Sequence, residues 1–447
     1  MTRTIRLGAG AGFAGDRIDP AVELAQHANL DYLIFEVLGE RTIAAAHARR
    51  IGGTGVAYDS LLERRFEATL AHSRKSDTTI ITNGGAADPE AAGQMALRVA
   101  RAAGLLGTKV AVVTGDDVLE AIRALDPVLW ETGKPLSAED MELVSANAYL
   151  GAEPIIEALN AGADIVIAGR VADPALYLAP IAYEHQWDLA NDWDLLGNGI
   201  LVGHLLECAG QITGGYYADP VTKPVPDMET LGFPFADVAR DGSALLSKLD
   251  HCGGSLTTRT AAEQLFYEVA DPHAYVTPDV VADFSKVQLS EAGENTVRVH
   301  GAGGHRKPEQ LKVTLGFKGG WIGEGQISYA GPRAYERAQL AAEIVTHRLV
   351  AIHGMSAESI SVEYIGAGAA LRGMSTNQES IEIRLRVSAR VDQWDHADAV
   401  GWEIEALYTN GPAAGGGVRR SIQEVLAVRS CYIPREFVQT KVQVEEA

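Results

Sequence analysis

The apolar positions of this chain follow two rhythms. In the first half, short unbroken apolar runs stop at glycine or polar turns and give way to helical periodicity. Thr4–Leu7 predicts a strand running into the glycine-rich turn GAGAGFAGDR, and Pro20 opens a helix over Ala21–Ala28. Tyr32–Leu38 predicts a buried strand with one carboxylate, Glu36, near its end, followed by a helix over Glu40–Arg50 and a helical stretch near Leu61–Arg74. Thr78–Thr82, Lys109–Thr114 and Asp164–Ala168 predict further strands, closed by NGGA, by Gly115-Asp116-Asp117 and by GRVADP, with helices opening at Asp88-Pro89 and Pro174.

Beyond Pro220 the rhythm changes. Val221–Ala239 is proline-rich and reads as a connector, and Thr257–Val269 reads as a helix. Val281–Leu289, Thr296–His300, Leu311–Phe317 and Trp321–Ser328 alternate apolar and polar residues, as antiparallel strands with one wet face do. Helices over Pro332–Ile352 and His396–Leu407 interleave with strands at Ser359–Ile365 and Ile381–Val391. The fold class is therefore α/β, with a mainly parallel sheet in an N-terminal domain (1–245) and a second α+β domain (246–447) rich in antiparallel strands.

In parallel α/β folds ligands bind at the carboxyl ends of the strands, where loops and helix N-termini converge. Those ends collect Asp16, Arg17, Glu36, Asn83, Asp116, Asp117, Arg170 and Asp173 as a candidate pocket. The spacing does not separate an open doubly wound sheet from a partial barrel.

Composition narrows the function classes. The formal charge of −21 is spread along the chain without a polybasic run, which argues against a nucleic-acid partner or an anionic membrane surface. Cys208, Cys252 and Cys431 lack CxxC spacing, so neither a disulfide framework nor a zinc module is indicated, and a reducing cytoplasm fits. Met1–Gly15 has no apolar core of leader length, and no run approaches the roughly 18–20 residues of a membrane span. A cytoplasmic homo-oligomer is expected.

Gly203–Pro220, GHLLECAGQITGGYYADP, concentrates the candidate chemistry. His204 and Glu207 share a helix face and Cys208 follows one turn after His204. One reading makes His204 and Glu207 ligands of a divalent metal, completed by Asp116 or Asp173; another makes His204 a general base and Cys208 a thiolate nucleophile. The plain alternative is a partly buried helix with a hydrogen-bonded histidine and a small apolar cysteine. Gly214 and Gly215 would turn the chain toward the second domain, placing His204 and Glu207 near an interdomain cleft.

Other motifs carry similar pairs of readings. Gly10, Gly12 and Gly15 satisfy the G-x-G-x-x-G pattern, but Asp16 and Asp19 put negative charge where a pyrophosphate would lie, so a tight turn is the better reading. His251-Cys252-Gly253-Gly254 is a second His–Cys neighbourhood ahead of a helix N-terminus, suited to an anion or to a plain cap. Asn410–Ser421, NGPAAGGGVRRS, reads as an anion-binding turn: Gly415, Gly416 and Gly417 lead into a helix whose first turn holds Arg419 and Arg420, awaiting a phosphate, a CoA pyrophosphate or a partner carboxylate. WIGEGQIS places glycines inside a strand, the mark of close approach by a ligand or of tight packing against a helix.

Taken together, IRLGAGAGFAGDRIDPAVELA, FEVLGERTIA, TNGGAADP, KVAVVTGDDVL, ANAYLGAEPI, ADIVIAGRVADPAL, GHLLECAGQITGGYYADP, WIGEGQISYAGP and EALYTNGPAAGGGVRRSIQEV resemble the acyclic terpene utilisation family of AtuA type, from about residue 4 to about residue 435. Many members carry a further C-terminal domain of ferredoxin-like type, for which the resemblance leaves no room here. The resemblance implies a setting in bacterial breakdown of citronellol- and geraniol-like terpenoids through branched acyl-CoA intermediates, and it carries over no catalytic residue.

The leading expectation is an enzyme acting on a small anionic or acyl-CoA substrate by hydration, elimination or hydrolysis. His204 would be base or metal ligand, Glu207 its partner, Asp116 or Asp173 a second acid–base group, and Arg170 and Cys208 further members of the site. The GGGVRR turn would hold the anionic end. The candidate cofactors are a divalent metal and the CoA moiety of the substrate. The alternative is a non-catalytic acyl-CoA-binding or scaffolding subunit, which would show no closed polar pocket.

Overall fold

The structure, a computed structural model, describes residues 4–371 and 380–447. The first three residues of the stretch read for a leader lie outside the described residues. Two compact units divide the chain: residues 1–140, 144–316 and 428–447 form the first, and 141–143 with 317–427 the second.

The first unit is built on a ten-stranded mixed sheet. Its centre is parallel: β1 (Ile5–Ala11), β2 (Tyr32–Phe35), β3 (Thr79–Thr82), then β6 (Ile165–Ala168) and β4 (Lys109–Thr114). These runs are apolar on both faces because helices cover both, as parallel sheets require. Ile34, Ile81, Val166 and Ile167 are fully buried. β5 (Leu143–Ala148) stands outside this sheet and pairs with the long strand Gln310–Ala330.

Antiparallel strands complete the sheet at both edges. Lys441–Glu446 pairs with β4, while β7 (Pro234–Val238) pairs with β1 and β8 (Ala244–Lys248) with β7. Thr296–His300 then pairs with β8, and Gln288–Gly293 with that strand. A cut at residue 245 therefore falls inside β8, and residues 246–316 belong to the first compact unit. Of the alternating segments after Pro220, Thr296–His300 extends the first sheet, Val281–Asp283 pairs with Tyr275–Val276 and Gly303–His305 in a small antiparallel sheet, and the rest lie in the long strand Gln310–Ala330. The proline-rich connector itself contributes β7.

Helix starts follow local signals. Pro20, Pro89 and Pro154 occupy the first turns of their helices, where the missing N–H costs nothing. Asp88 caps Ala91 N at 3.0 Å, and Thr257 and Thr260 form a capping box. The glycine run of β1 serves packing: a Cβ on Gly12 would lie 2.4 Å from the Cys208 backbone. The turn proper holds only residues 12–16, closed by Gly12 N donating to Asp16 Oδ2 at 2.9 Å.

The second unit carries an antiparallel sheet in the order Ile360–Ile365, Glu382–Val391, Gln310–Ala330 and Gly415–Pro434, with helices Ala334–Ala351 and Trp394–Asn410 on its apolar face. The two strands expected at Leu311–Phe317 and Trp321–Ser328 are one continuous strand. The glycines of WIGEG are explained by packing: a Cβ on Gly323 would lie 2.0 Å from the Ala397 carbonyl of helix Trp394–Asn410. No helix among the described residues is long and apolar enough to cross a membrane.

Candidate functional site

A cavity of about 280 Å³ opens in the first unit beside the carboxyl ends of β2, β5 and β6. Three strand ends supply its polar groups. Glu40, past β2, is the first residue of α2 (Glu40–Gly52); Tyr149 follows β5; Arg170 and Asp173 follow β6. Lys312 comes from Gln310–Ala330, and Tyr149 N donates to its carbonyl at 2.9 Å, which fixes the two side by side. Trp130 and Tyr432, with ring centroids 4.6 Å apart, and Tyr275 provide aromatic wall.

Two cations and a phenol converge on one carboxylate. The Tyr149 hydroxyl donates to Glu40 Oε1, and Lys312 Nζ donates to the same oxygen at 3.1 Å. Arg170 lies over the Tyr149 ring at 4.1 Å, with Lys312 at 4.7 Å from that centroid. Burial alone would push Glu40 up, but Arg170, the Tyr149 hydroxyl and Lys312 outweigh it and hold the carboxyl down at about 2. Its place in the first turn of α2 adds the helix dipole in the same direction. Glu40 is therefore a fixed anion at neutral pH.

Arg170 is buried, and it pairs with Asp173 at 3.0 Å and donates to the Leu38 carbonyl. Burial opposes its charge, yet Asp173, Tyr149, Glu40 and Glu36 together hold the guanidinium above its ordinary value. Asp173 is also shifted up, in its case against its charge: burial raises it more than Arg170 lowers it. Its side chain is one-third accessible, 33%, so solvent screening tempers the burial effect.

A second layer of carboxyls stands away from the cavity surface. Glu36 accepts from Asn83 Nδ2 at 2.8 Å and Leu38 N at 2.9 Å, and burial with the nearby Asp173 pushes it up to about 8. His204 and Glu207 meet at 3.1 Å, and His204 Nε2 lies 3.2 Å from the Leu265 carbonyl. A carbonyl only accepts, so Nε2 carries the proton and Nδ1 accepts from a protonated Glu207. The shifts agree: burial brings His204 down to about 4 and drives Glu207 well above its ordinary value. Both ring nitrogens are thus occupied, and the ring packs against Phe284 and Tyr275 with centroids at 5.8 and 5.2 Å.

Of the residues expected at strand ends, Arg170 and Asp173 line the cavity and Glu36 supports the Arg170 charge from behind; Glu207, from the Gly203–Pro220 stretch, stands off the cavity and is itself raised by burial and Asp173. His204 and Cys208 do not line it; burial, then Glu207, raises the Cys208 thiol far from thiolate chemistry. His204 and Glu207 sit inside the first unit. Asp116 and Asp117 line a separate cavity of about 190 Å³ with His47, Arg50 and Asn147. Asp116 accepts from Asn147 Nδ2 at 2.9 Å and Arg170 N at 2.8 Å, which makes it a brace for the Arg170 backbone. Asp16 closes its own turn, and Arg17 donates to the Met228 carbonyl at 3.2 Å. Among the described residues, His204, Glu207, Asp116 and Asp173 do not bring their donor atoms together as a metal-ligating cluster.

The GGGVRR segment is corrected. Gly415, Gly416, Gly417, Arg419 and Arg420 begin the strand Gly415–Pro434, so no helix N-terminus is present to hold an anion. The flanking Val418, Ile422 and Val425 favour a strand, and Val418 N donates to the Tyr408 hydroxyl at 3.1 Å. Arg420 is answered by Glu405 at 3.1 Å, the partner-carboxylate alternative.

Sequence reasoning missed Glu40, Tyr149, Lys312, Trp130, Tyr275 and Tyr432. Glu40 stood within reach, since extending the strand end Tyr32–Leu38 by two residues reaches it in FEVLGE.

No curated protein and no solved structure matches this chain. A family model described as "Acyclic terpene utilisation family protein AtuA" matches residues 5–444. With nearly the whole chain covered, this protein belongs to the acyclic terpene utilisation family.

Proposed function

We propose that the cavity of the first unit is an acid–base active site for a small branched acid or its acyl-CoA thioester, acting by hydration or elimination. The observation that carries this reading is the convergence of Arg170, Lys312 and the Tyr149 hydroxyl on Glu40, beside Asp173. The cations and the phenol suit a carboxylate or a carbonyl oxygen that gains negative charge as a proton leaves the adjacent carbon. Trp130, Tyr275 and Tyr432 suit an apolar branched chain. At about 280 Å³ the cavity sits near the lower edge of the roughly 300–1,000 Å³ usual for ligand sites, which fits an acyl end.

In this reading Asp173 moves the proton. A catalytic base works best with a pKa near the working pH, and Asp173 is shifted upward and reaches the cavity, while Glu40 is too firmly ionised to accept a proton. Elimination of water from a 3-hydroxyacyl substrate would transfer the C2 proton to Asp173, form the C2–C3 double bond as the C3–O bond breaks, and return the proton from Asp173 to the departing hydroxyl, which leaves as water. Glu40 would orient Tyr149 and Lys312. The convergence of charged groups on one cavity favours a ligand site over the scaffolding alternative.

The test incubates the purified chain with branched 3-hydroxyacyl- and enoyl-CoA thioesters and follows interconversion by mass spectrometry. Turnover that falls by about 10²-fold or more in Asp173→Asn supports the reading. Binding without turnover across the panel, or turnover indifferent to Asp173→Asn, overturns it.

A further inference from the structure

Away from this cavity, four side chains that suit a soft or borderline metal meet on the surface of the first unit. Glu23 and His27 lie four residues apart on α1 (Asp19–His27), and His27 Nε2 is 3.7 Å from Glu23 Oε2. From a different part of the chain, His251 Nε2 reaches the same Glu23 oxygen at 2.8 Å. One donor atom each from Glu23, His251 and Cys252 lie within 4.8 Å of one another, and the His27 and His251 rings meet edge to face at 5.5 Å. We propose that Glu23, His251 and Cys252, with His27 as fourth donor, form a zinc site that clips α1 to the turn after β8.

The donor set decides the metal class. Calcium and magnesium favour oxygen alone, whereas imidazole, thiolate and carboxylate together suit zinc in a four-coordinate site. Zinc bonds of roughly 2.0–2.3 Å place neighbouring donors closer than the present outer spacing, a change that rotation of exposed side chains supplies. His251 and Glu23 are 57% and 41% accessible, so such rotation meets little packing.

The backbone beneath is already fixed. Gly253 N donates to the Thr230 carbonyl at 2.9 Å, Gly232 N to the Gly253 carbonyl at 3.0 Å, and Cys252 N to the Leu249 carbonyl at 3.2 Å. Lys248 Nζ donates to the Leu249 and Cys252 carbonyls at 3.2 and 2.6 Å, so its charge is directed into the turn.

The experiment uses the full chain after chelator treatment, titrated with Zn²⁺ against a chromophoric chelator and separately loaded with Co²⁺. One zinc per chain is expected, with a thiolate-to-cobalt charge-transfer band, a zinc-dependent rise in thermal midpoint, and protection of Cys252 from alkylation by peptide mapping. Cys252→Ser should abolish the band, and His251→Ala should weaken zinc binding by about tenfold or more. Substoichiometric zinc, or wild-type affinity in both variants, overturns the proposal. Alkylation mapping of the wild-type chain decides the matter independently if either variant fails to fold: unchanged Cys252 labelling with zinc present also overturns it.

Discussion

Replacing Arg170 by methionine keeps an unbranched apolar stem and removes the charge that links the cavity to the carboxyls behind it. The ion pair to Asp173 spans 3.0 Å, and at an effective dielectric of about 20 its attraction is about 5.5 kcal/mol. Removing one partner of a buried pair costs about 3–5 kcal/mol, because the other is left uncompensated. Asp173 is 33% accessible, which places the loss at the lower end, about 3 kcal/mol at pH 8.

The loss depends on pH. Without Arg170 the Asp173 carboxyl rises further above its unfolded value, and a raised carboxyl costs stability as pH climbs through its folded pKa. At pH 5 a larger share of Asp173 is protonated, and the penalty shrinks toward the part owed to the Leu38 hydrogen bond and Tyr149 packing. Urea denaturation at both pH values measures the loss, with hydrogen exchange in β6 reporting on the first unit separately. A double-mutant cycle with Asp173→Asn should return a coupling of about 2 kcal/mol. Equal losses at pH 5 and pH 8, or additivity within about 0.5 kcal/mol, would refute the assigned pair.

Two further predictions test the assigned protonation states. Glu40 sits at about 2 against an ordinary 4.5, so its contribution is complete above pH 4.5 and lost as pH falls through about 2; Glu40→Gln should cost about 1 kcal/mol at pH 7, discounted because the side chain is 42% accessible, and the gap in urea midpoints should close in strong acid. Glu207→Gln keeps a donor for His204 Nδ1 and should change stability by under about 1 kcal/mol, whereas Glu207→Ala leaves that nitrogen unpaired and should cost about 2–3 kcal/mol in the same assay; equal costs for the two would mean an ionised pair instead.

The parallel half of the sheet was legible because its strands are apolar on both faces and stop at turns, and the strand-end rule reached Arg170 and Asp173 directly. Tyr149 escaped because β5, LVSANA, carries serine, asparagine and alanines and has no strand signature; it is a strand through its pairing with Gln310–Ala330. Lys312 and Tyr432 come from antiparallel strands remote in sequence, where only tertiary pairing brings them to the site. His204 and Glu207 were found for sound reasons of spacing, but spacing says nothing of burial, and burial decides their protonation. The GGGVRR segment shows the converse error, since glycines that read as a turn joined a ladder whose partner strand lies about a hundred residues earlier.

The protonation pattern also bears on what the cavity can hold. Were Glu36, Glu40, Asp173 and Glu207 all ionised against Arg170 and Lys312, the site would repel an anion. Burial keeps Glu207 neutral and holds Glu36 up at about 8, so at pH 7 the opposed charges reduce to Glu40 and Asp173 against Arg170 and Lys312, with the exposed Glu268 screened by solvent. An incoming carboxylate then competes with Asp173 for Arg170 and pushes its pKa further up, so the ligand and a proton should bind together. Calorimetry of a branched carboxylic acid in buffers of different ionisation enthalpy should show uptake of up to one proton, absent in Asp173→Asn, with affinity falling as pH rises. Binding without proton uptake would place the anion elsewhere and remove Asp173 from the chemistry.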